Sequence, residues 1–302
     1  MQLGFVSAVL GDRTIEEVLA FAADEKYIWV EMMCWPKAGV DPSLTGIAHI
    51  DVTQNSDAYA HHIRDLLRIH NVKISGLGYY PNPLEENEEK RKQIVNHLKK
   101  VIQFAPTIGV KLVNTFIGRQ SSRPADDQWQ LVQEVWTPIL EVAKSNGVKI
   151  AIENCPMLFH PNQWPGGTNL ANCPAHWRKF FDLFPSDTIG LNLDPSHLIW
   201  LMIDPIRAIK EFGSKLFHVH AKDTRIDYDK LYEVGSQGMG WHVAKLPGLG
   251  DVNWGKFIGA LAEVGYRGPI CVEVEDKAYE GSLEDRKRAL RQSKRFLQSY
   301  VD

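Results

Sequence analysis

Glu153, Asp194, His220 and Glu273 are the residues of this chain best placed to do chemistry. Each closes a short apolar run: KIAIEN (149–154), IGLNLD (189–194), LFHVHAKD (216–223) and GPICVEVED (268–276). Three carboxylates and an imidazole at the same end of one sheet make a divalent-metal site. Side chains alternate between the two faces of a strand, so Glu153 shares a face with Ala151, Asp194 with Asn192, His220 with His218 and Lys222, and Glu273 with Glu275. Neighbouring strands lie about 4.8 Å apart, which lets ligands from four adjacent strands meet at one ion at roughly 2.0–2.3 Å. The ligands are mostly hard, which puts Mn²⁺ first, with Mg²⁺, Co²⁺ and Zn²⁺ as alternatives. The plainer reading is a set of buried ion pairs, for example Glu153 with Lys222. Four such residues at one level favour the metal. His220 is preferred to His218, which lies one layer deeper, and Glu273 to Glu275, which has reached the loop.

These residues need a scaffold, and the chain alternates strand and helix patterns from end to end. Strand patterns cover 3–9, 27–35, 72–80 and 110–118 before the four runs above. Helical patterns cover 14–25, 56–70, 84–105, 126–146, 175–184, 205–212, 253–264 and 282–299, with Asp251 to Trp254 reading as the start of the seventh. Eight strands alternating with eight helices in 302 residues predict an α/β protein, a (β/α)₈ TIM barrel forming one domain over 1–302. The first loop, GDRT, lacks the GxGxxG expected of a doubly wound dinucleotide fold. Three connections, 36–54, 155–174 and 224–252, are too long for simple turns. All follow strand C-terminal ends, the active-site face of a barrel.

Composition narrows the partners. With 34 basic and 37 acidic residues and a formal charge of −3, the chain offers no electrostatic case for nucleic acid or an anionic membrane. The four cysteines show no CxxC spacing and read as reduced thiols. The N-terminus has no basic stretch ahead of its apolar run, and no segment approaches the roughly 18 apolar residues of a membrane span. A soluble cytoplasmic protein is expected, with homo-oligomerisation left open.

The pieces AIEN around Glu153, NLDPSH around Asp194 and His197, HVHAKDTR around His220 and Arg225, CVEVED around Glu273, and PGLGDVNW (247–254) occur in an order and spacing that resembles the xylose-isomerase-like superfamily of sugar isomerases and epimerases. That group includes the ketose 3-epimerases, inosose dehydratase-type enzymes and the endonuclease IV group. The resemblance implies a barrel with one divalent ion held by Glu153, Asp194, His220 and Glu273. It also implies that Glu153 and Glu273 act as the acid/base pair, and that His197 and Arg225 contact substrate oxygens. One departure stands out. Ketose epimerases carry a substrate-binding glutamate six positions after the first ligand, where this chain has Phe159 followed by His160. The loop FHPNQWPGG therefore speaks against a free ketohexose as substrate.

The expected chemistry is proton abstraction next to a sugar carbonyl through a metal-stabilised enediolate. Proton return on the other face gives an epimer, return at the neighbouring carbon gives an isomer, and loss of a β-hydroxyl gives dehydration of a keto-sugar or inositol derivative. Trp35, Trp164 and His160 are expected at the substrate, with Trp241 also in a long loop; aromatic faces stack on sugar C–H surfaces. Tyr79, Tyr80, Asn114 and Glu31 are weaker pocket candidates. Lys222 is expected to pair with Asp223 or Asp227, and His61 and His62 to lie on the surface. A nuclease of the endonuclease IV type is the less favoured alternative, because strands one to four end without histidine and no basic groove is indicated.

Overall fold

A computed structural model describes residues 1–301 apart from Asn55, Phe159 and Pro165. The barrel strands are β1 (Gln2–Val6), β2 (Trp29–Met33), β3 (Lys73–Gly78), β4 (Leu112–Thr115), β5 (Lys149–Glu153), β6 (Ile189–Leu193), β7 (Leu216–Ala221) and β10 (Pro269–Val272). They pair in parallel, in chain order, and β10 closes the ring against β1. The inner and outer faces of β6 are both fully buried, as parallel strands covered by helices require.

Eight helices pack around this ring: α1 (Ile15–Asp24), α2 (Asp57–His70), α3 (Glu88–Phe104), α4 (Trp129–Ser145), α5 (Pro174–Leu183), α7 (Pro205–Phe212), α9 (Trp254–Glu263) and α10 (Leu283–Leu297). Local chemistry sets their starts. Thr14 and Glu17 form a capping box on α1, Ser56, Asn87, Asp204, Asn253 and Ser282 cap five others, and α5 and α7 open on proline. Their apolar faces meet the outside of the sheet, where Trp136 of α4 is fully buried and donates its indole N–H to Ile117 O at 3.0 Å. Among the described residues no helix is long and apolar enough to cross a membrane, and all four cysteines are free.

The structure adds elements that the sequence pattern does not reveal. A short helix, α6 (Pro195–Trp200), follows β6. The 224–252 connection holds an antiparallel ribbon, β8 (Asp223–Ile226) with β9 (His242–Lys245), and helix α8 (Tyr228–Val234) between them. The run read as one strand over 216–223 is therefore two. The barrel strand stops at Ala221, and Asp223 begins the ribbon. Its buried carboxylate accepts hydrogen bonds from Thr224 N, Gly248 N, Val252 N and Trp254 Nε1 at 2.8, 2.9, 3.0 and 2.9 Å. Those four bonds turn the chain out of the barrel and tie PGLGDVNW to its rim.

Candidate active site

Four consecutive members of the ring deliver the four residues singled out at the start. Glu153 ends β5, Asp194 follows β6, His220 lies on β7 and Glu273 follows β10. One donor atom from each lies within 4.8 Å of the others. His220 Nδ1 is 3.6 Å from Glu153 Oε1 and 3.5 Å from Glu273 Oε2. Asn154 ties the first two positions together, donating to Asp194 O at 2.9 Å and accepting from Asp194 N at 2.7 Å. Asp194 also caps α6, its Oδ1 accepting from Ser196 N at 2.8 Å.

The remaining donor atoms are what a divalent ion requires. Asp194 Oδ2 and His220 Nδ1 are buried and make no hydrogen bond; the nearest cation to Asp194 Oδ2 is the Lys222 ammonium at 3.2 Å. Polar atoms without a hydrogen bond at this depth are costly, and two of them within 4.8 Å of two further carboxylates fit a hard cation that displaces the His220 proton.

Buried charge shapes the protonation of the cluster. Burial and the neighbouring Glu273 push the Glu153 carboxyl up to about 7. Burial raises Asp194 to about 6, against the pull of Lys222. Burial would raise Glu273 too, but Lys222 and His220 hold it well below the usual carboxylate range. Burial opposes charge on His220, yet Glu31, Glu273 and Glu153 together lift it well above an ordinary imidazole. Burial drops His218 to about 4. It sits one layer below, with Nδ1 at 2.9 Å from Asn192 Oδ1 and Nε2 at 3.0 Å from Ser75 Oγ.

Lys222 corrects an expectation. Its ammonium pairs with neither Asp223 nor Asp227. It lies 2.7 Å from Glu273, 2.9 Å from Glu275 and 3.2 Å from Asp194. Lys222 keeps the inward alternation of His218 and His220, whereas Asp223 points away into its own hydrogen-bond cage. Glu275 is more than half exposed and Glu273 largely buried.

A cavity of about 600 Å³ opens above this floor, at the C-terminal ends of the strands. Glu153, Glu273, His197 and Trp35 line it. Both ring nitrogens of His197 are buried without a hydrogen bond, and Nε2 lies 3.5 Å from Asp194 and 3.8 Å from Glu153. Three of the expected substrate contacts are not brought to the cavity. In the β8–β9 ribbon Thr224 pairs with Ala244 and Ile226 with His242; Thr224, Ala244 and His242 face the cavity, so alternation sends Arg225 to the other face, where it is exposed. Trp164 packs beside Leu158, Trp200 and Trp241 and anchors the loops. His160 is exposed, its backbone N–H bonded to Gln163. Phe159 lies outside the described residues. Tyr79 and Asn114 are buried and do not line the cavity, whereas Tyr80 does. His61 and His62 are exposed.

The cavity has walls that the sequence reading missed, among them Phe116, Met157, Trp200 and His242. Two carried a signal. Trp200 stands three residues after His197 on α6, hence on the same side of the helix, and the alternation in WHVAK (241–245) marks His242 and Ala244 as one face of a strand.

Residues 19–300 match the family described as the xylose isomerase-like TIM barrel. The chain belongs to that family. It is similar to the uncharacterised protein YfiH of Bacillus subtilis, 28% identical over 91% of this chain and 93% of that one. It is also similar to an inosose dehydratase of Clostridium perfringens, 24% identical over 65% of this chain and 67% of that one. Among solved structures of this fold, that of the IolI protein with a bound zinc atom superposes with a TM-score of 0.74 at 20% identity, covering 100% of both chains.

Proposed function

We propose that the protein is a divalent-metal-dependent isomerase or epimerase of a small carbohydrate or carbohydrate derivative, acting by removal of a proton next to a carbonyl. The convergence of Glu153, Asp194, His220 and Glu273 within 4.8 Å carries this reading. The three carboxylates and one imidazole would hold the ion, with Mn²⁺ preferred on ligand hardness; the zinc in the IolI structure makes Zn²⁺ the alternative. Bound there, the ion supplies a Lewis acid for the oxygens of a carbonyl substrate.

The chain's own residues divide the remaining work. Glu153 and Glu273 leave β5 and β10, on the two flanks of the Asp194–His220 pair, so a carbon held between them meets a carboxylate from each side. One takes the proton and the other returns it. His197, kept neutral by burial and by Lys222, offers a ring nitrogen to a substrate oxygen. Lys222 keeps Glu273 ionised.

Dehydration is the second reading, favoured by similarity to the inosose dehydratase of C. perfringens. It shares the proton abstraction and differs in losing a β-hydroxyl. Product NMR separates the two. The common step is tested with Glu153→Gln in D₂O: the folded variant is expected to lose deuterium incorporation into substrate, and retained exchange overturns the role of Glu153.

A further inference from the structure

The cavity is much less polar than its floor. Glu153, Glu273, Glu275, Lys222 and His197 gather at the base, but Met33, Trp35, Ile47, Phe116, Leu158 and Trp200 make up much of the wall above. A volume of about 600 Å³ lies in the middle of the range for drug-sized ligands, and a single sugar ring fills only part of it. A free sugar on the floor would leave these apolar outer walls uncovered, and a group attached to the sugar that covers them adds apolar burial to the binding energy.

The aromatic part of the wall is continuous with the reactive floor and rigid. His197, 3.5 Å from Asp194, meets Trp200 edge-on at a centroid distance of 6.4 Å. Trp200 stacks on His242 at 4.2 Å and 7°, and Trp241 closes edge-on against both. Trp35 follows β2, across the barrel from the β6 end that carries Trp200. Its indole is fixed between Tyr79, edge-on at 5.8 Å, and the backbone of Gly46, where an added Cβ would come within 2.7 Å of the ring. Preset aromatic faces bind flat groups with little ordering cost.

We propose that the substrate is a glycoside rather than a free sugar, with its keto-sugar ring on the carboxylate floor and a flat aromatic aglycone in the outer cavity between Trp35 and Trp200. This assignment rests on the proposed proton abstraction for the placement of the sugar ring. The outer cavity is thus a second binding subsite, and it selects for the group attached to the sugar.

Binding and chemistry are measured separately. Affinities of the metal-loaded protein for methyl, cyclohexyl and phenyl β-D-glucoside, which lack the carbonyl, are compared by calorimetry. Phenyl is expected to bind about tenfold or more tighter than methyl, with cyclohexyl between. Trp200→Ala and the more conservative Trp35→Leu are expected to shrink the phenyl-to-methyl affinity ratio, chiefly by weakening phenyl glucoside binding. Equal affinity for methyl and phenyl glucosides overturns the subsite, and equal affinity for cyclohexyl and phenyl overturns its aromatic character. Deuterium exchange from D₂O into the corresponding glucosides oxidised to a ketone at one ring carbon reads the chemistry. A phenyl preference without exchange in any of them leaves the subsite standing and removes the proton-abstraction reading. Exchange with methyl and phenyl substrates at equal affinity does the reverse.

Discussion

Glu31 Oε2 lies 2.7 Å from Nε2 of His220, so the imidazole is held from behind by a carboxylate while Nδ1 faces the cluster. Both side chains are fully buried. The Tyr80 hydroxyl also donates to Glu31, and Gly78 makes room for it: a Cβ there would stand 2.7 Å from Glu31 Oε1. The carboxylate fixes the proton on Nε2 and leaves the Nδ1 lone pair for a ligand, the arrangement that orients most metal-binding histidines.

Replacing Glu31 by Gln keeps the shape but removes the charge behind the imidazole. Metal affinity is expected to fall about 10–100-fold, measured by competition with a chromophoric chelator. Unchanged affinity would show that Glu31 is a core ion-pair partner with no influence on the ligand.

Metal binding should release protons. Glu153 and Asp194 hold theirs up to about pH 7 and 6, and His220 is held protonated, so apparent affinity rises with pH, about tenfold per unit for each proton displaced. The sign for the metal-free protein is opposite. Between the ordinary carboxylate value of 4.5 and about 7, folded Glu153 keeps a proton that the unfolded chain has lost. Its contribution to stability therefore falls as pH rises through that window. The gap in Tm between loaded and metal-free protein should widen from pH 6 to 8, and a constant gap would contradict these shifts.

Lys222→Met strips the only ammonium from Asp194, Glu273 and Glu275 among the ion pairs of the described residues. Leaving buried carboxylates uncompensated typically costs about 3–5 kcal/mol. Urea denaturation should show that loss in the metal-free variant, and saturating divalent ion should restore part of it. A variant as stable as the parent would mean the carboxylates take up protons instead.

Asp223→Ala removes the acceptor for three backbone N–H groups and the Trp254 indole. A loss of about 2–3 kcal/mol is expected, with protease cleavage appearing first in the 224–252 connection. Cleavage elsewhere would place the weak point outside the ribbon.

The barrel and its floor were legible because they rest on local pattern. Period-two apolar alternation marks strands, amphipathic periods mark helices, and a charged residue closing an apolar run marks a strand end. The ribbon and α6 left only a faint mark, in the alternation of WHVAK and the His197–Trp200 spacing, and α8 left none. They are short, and what holds them is the non-local cage around Asp223 and the cluster of Leu158, Trp200 and Trp241.

The sequence by itself determined which four side chains stand at the ends of neighbouring strands, because the succession of strand and helix patterns sets strand order in a barrel and side-chain alternation sets facing. Tertiary structure decided which atoms meet. It placed Glu31, a distant residue on β2, behind His220, drew Lys222 to Glu273 and Glu275, sent Arg225 outward, and built an aromatic wall from Trp35, Trp200 and His242. Closure of the barrel brings β2 across from β6 and folds the long connections over its mouth, and no local pattern encodes the contacts made there.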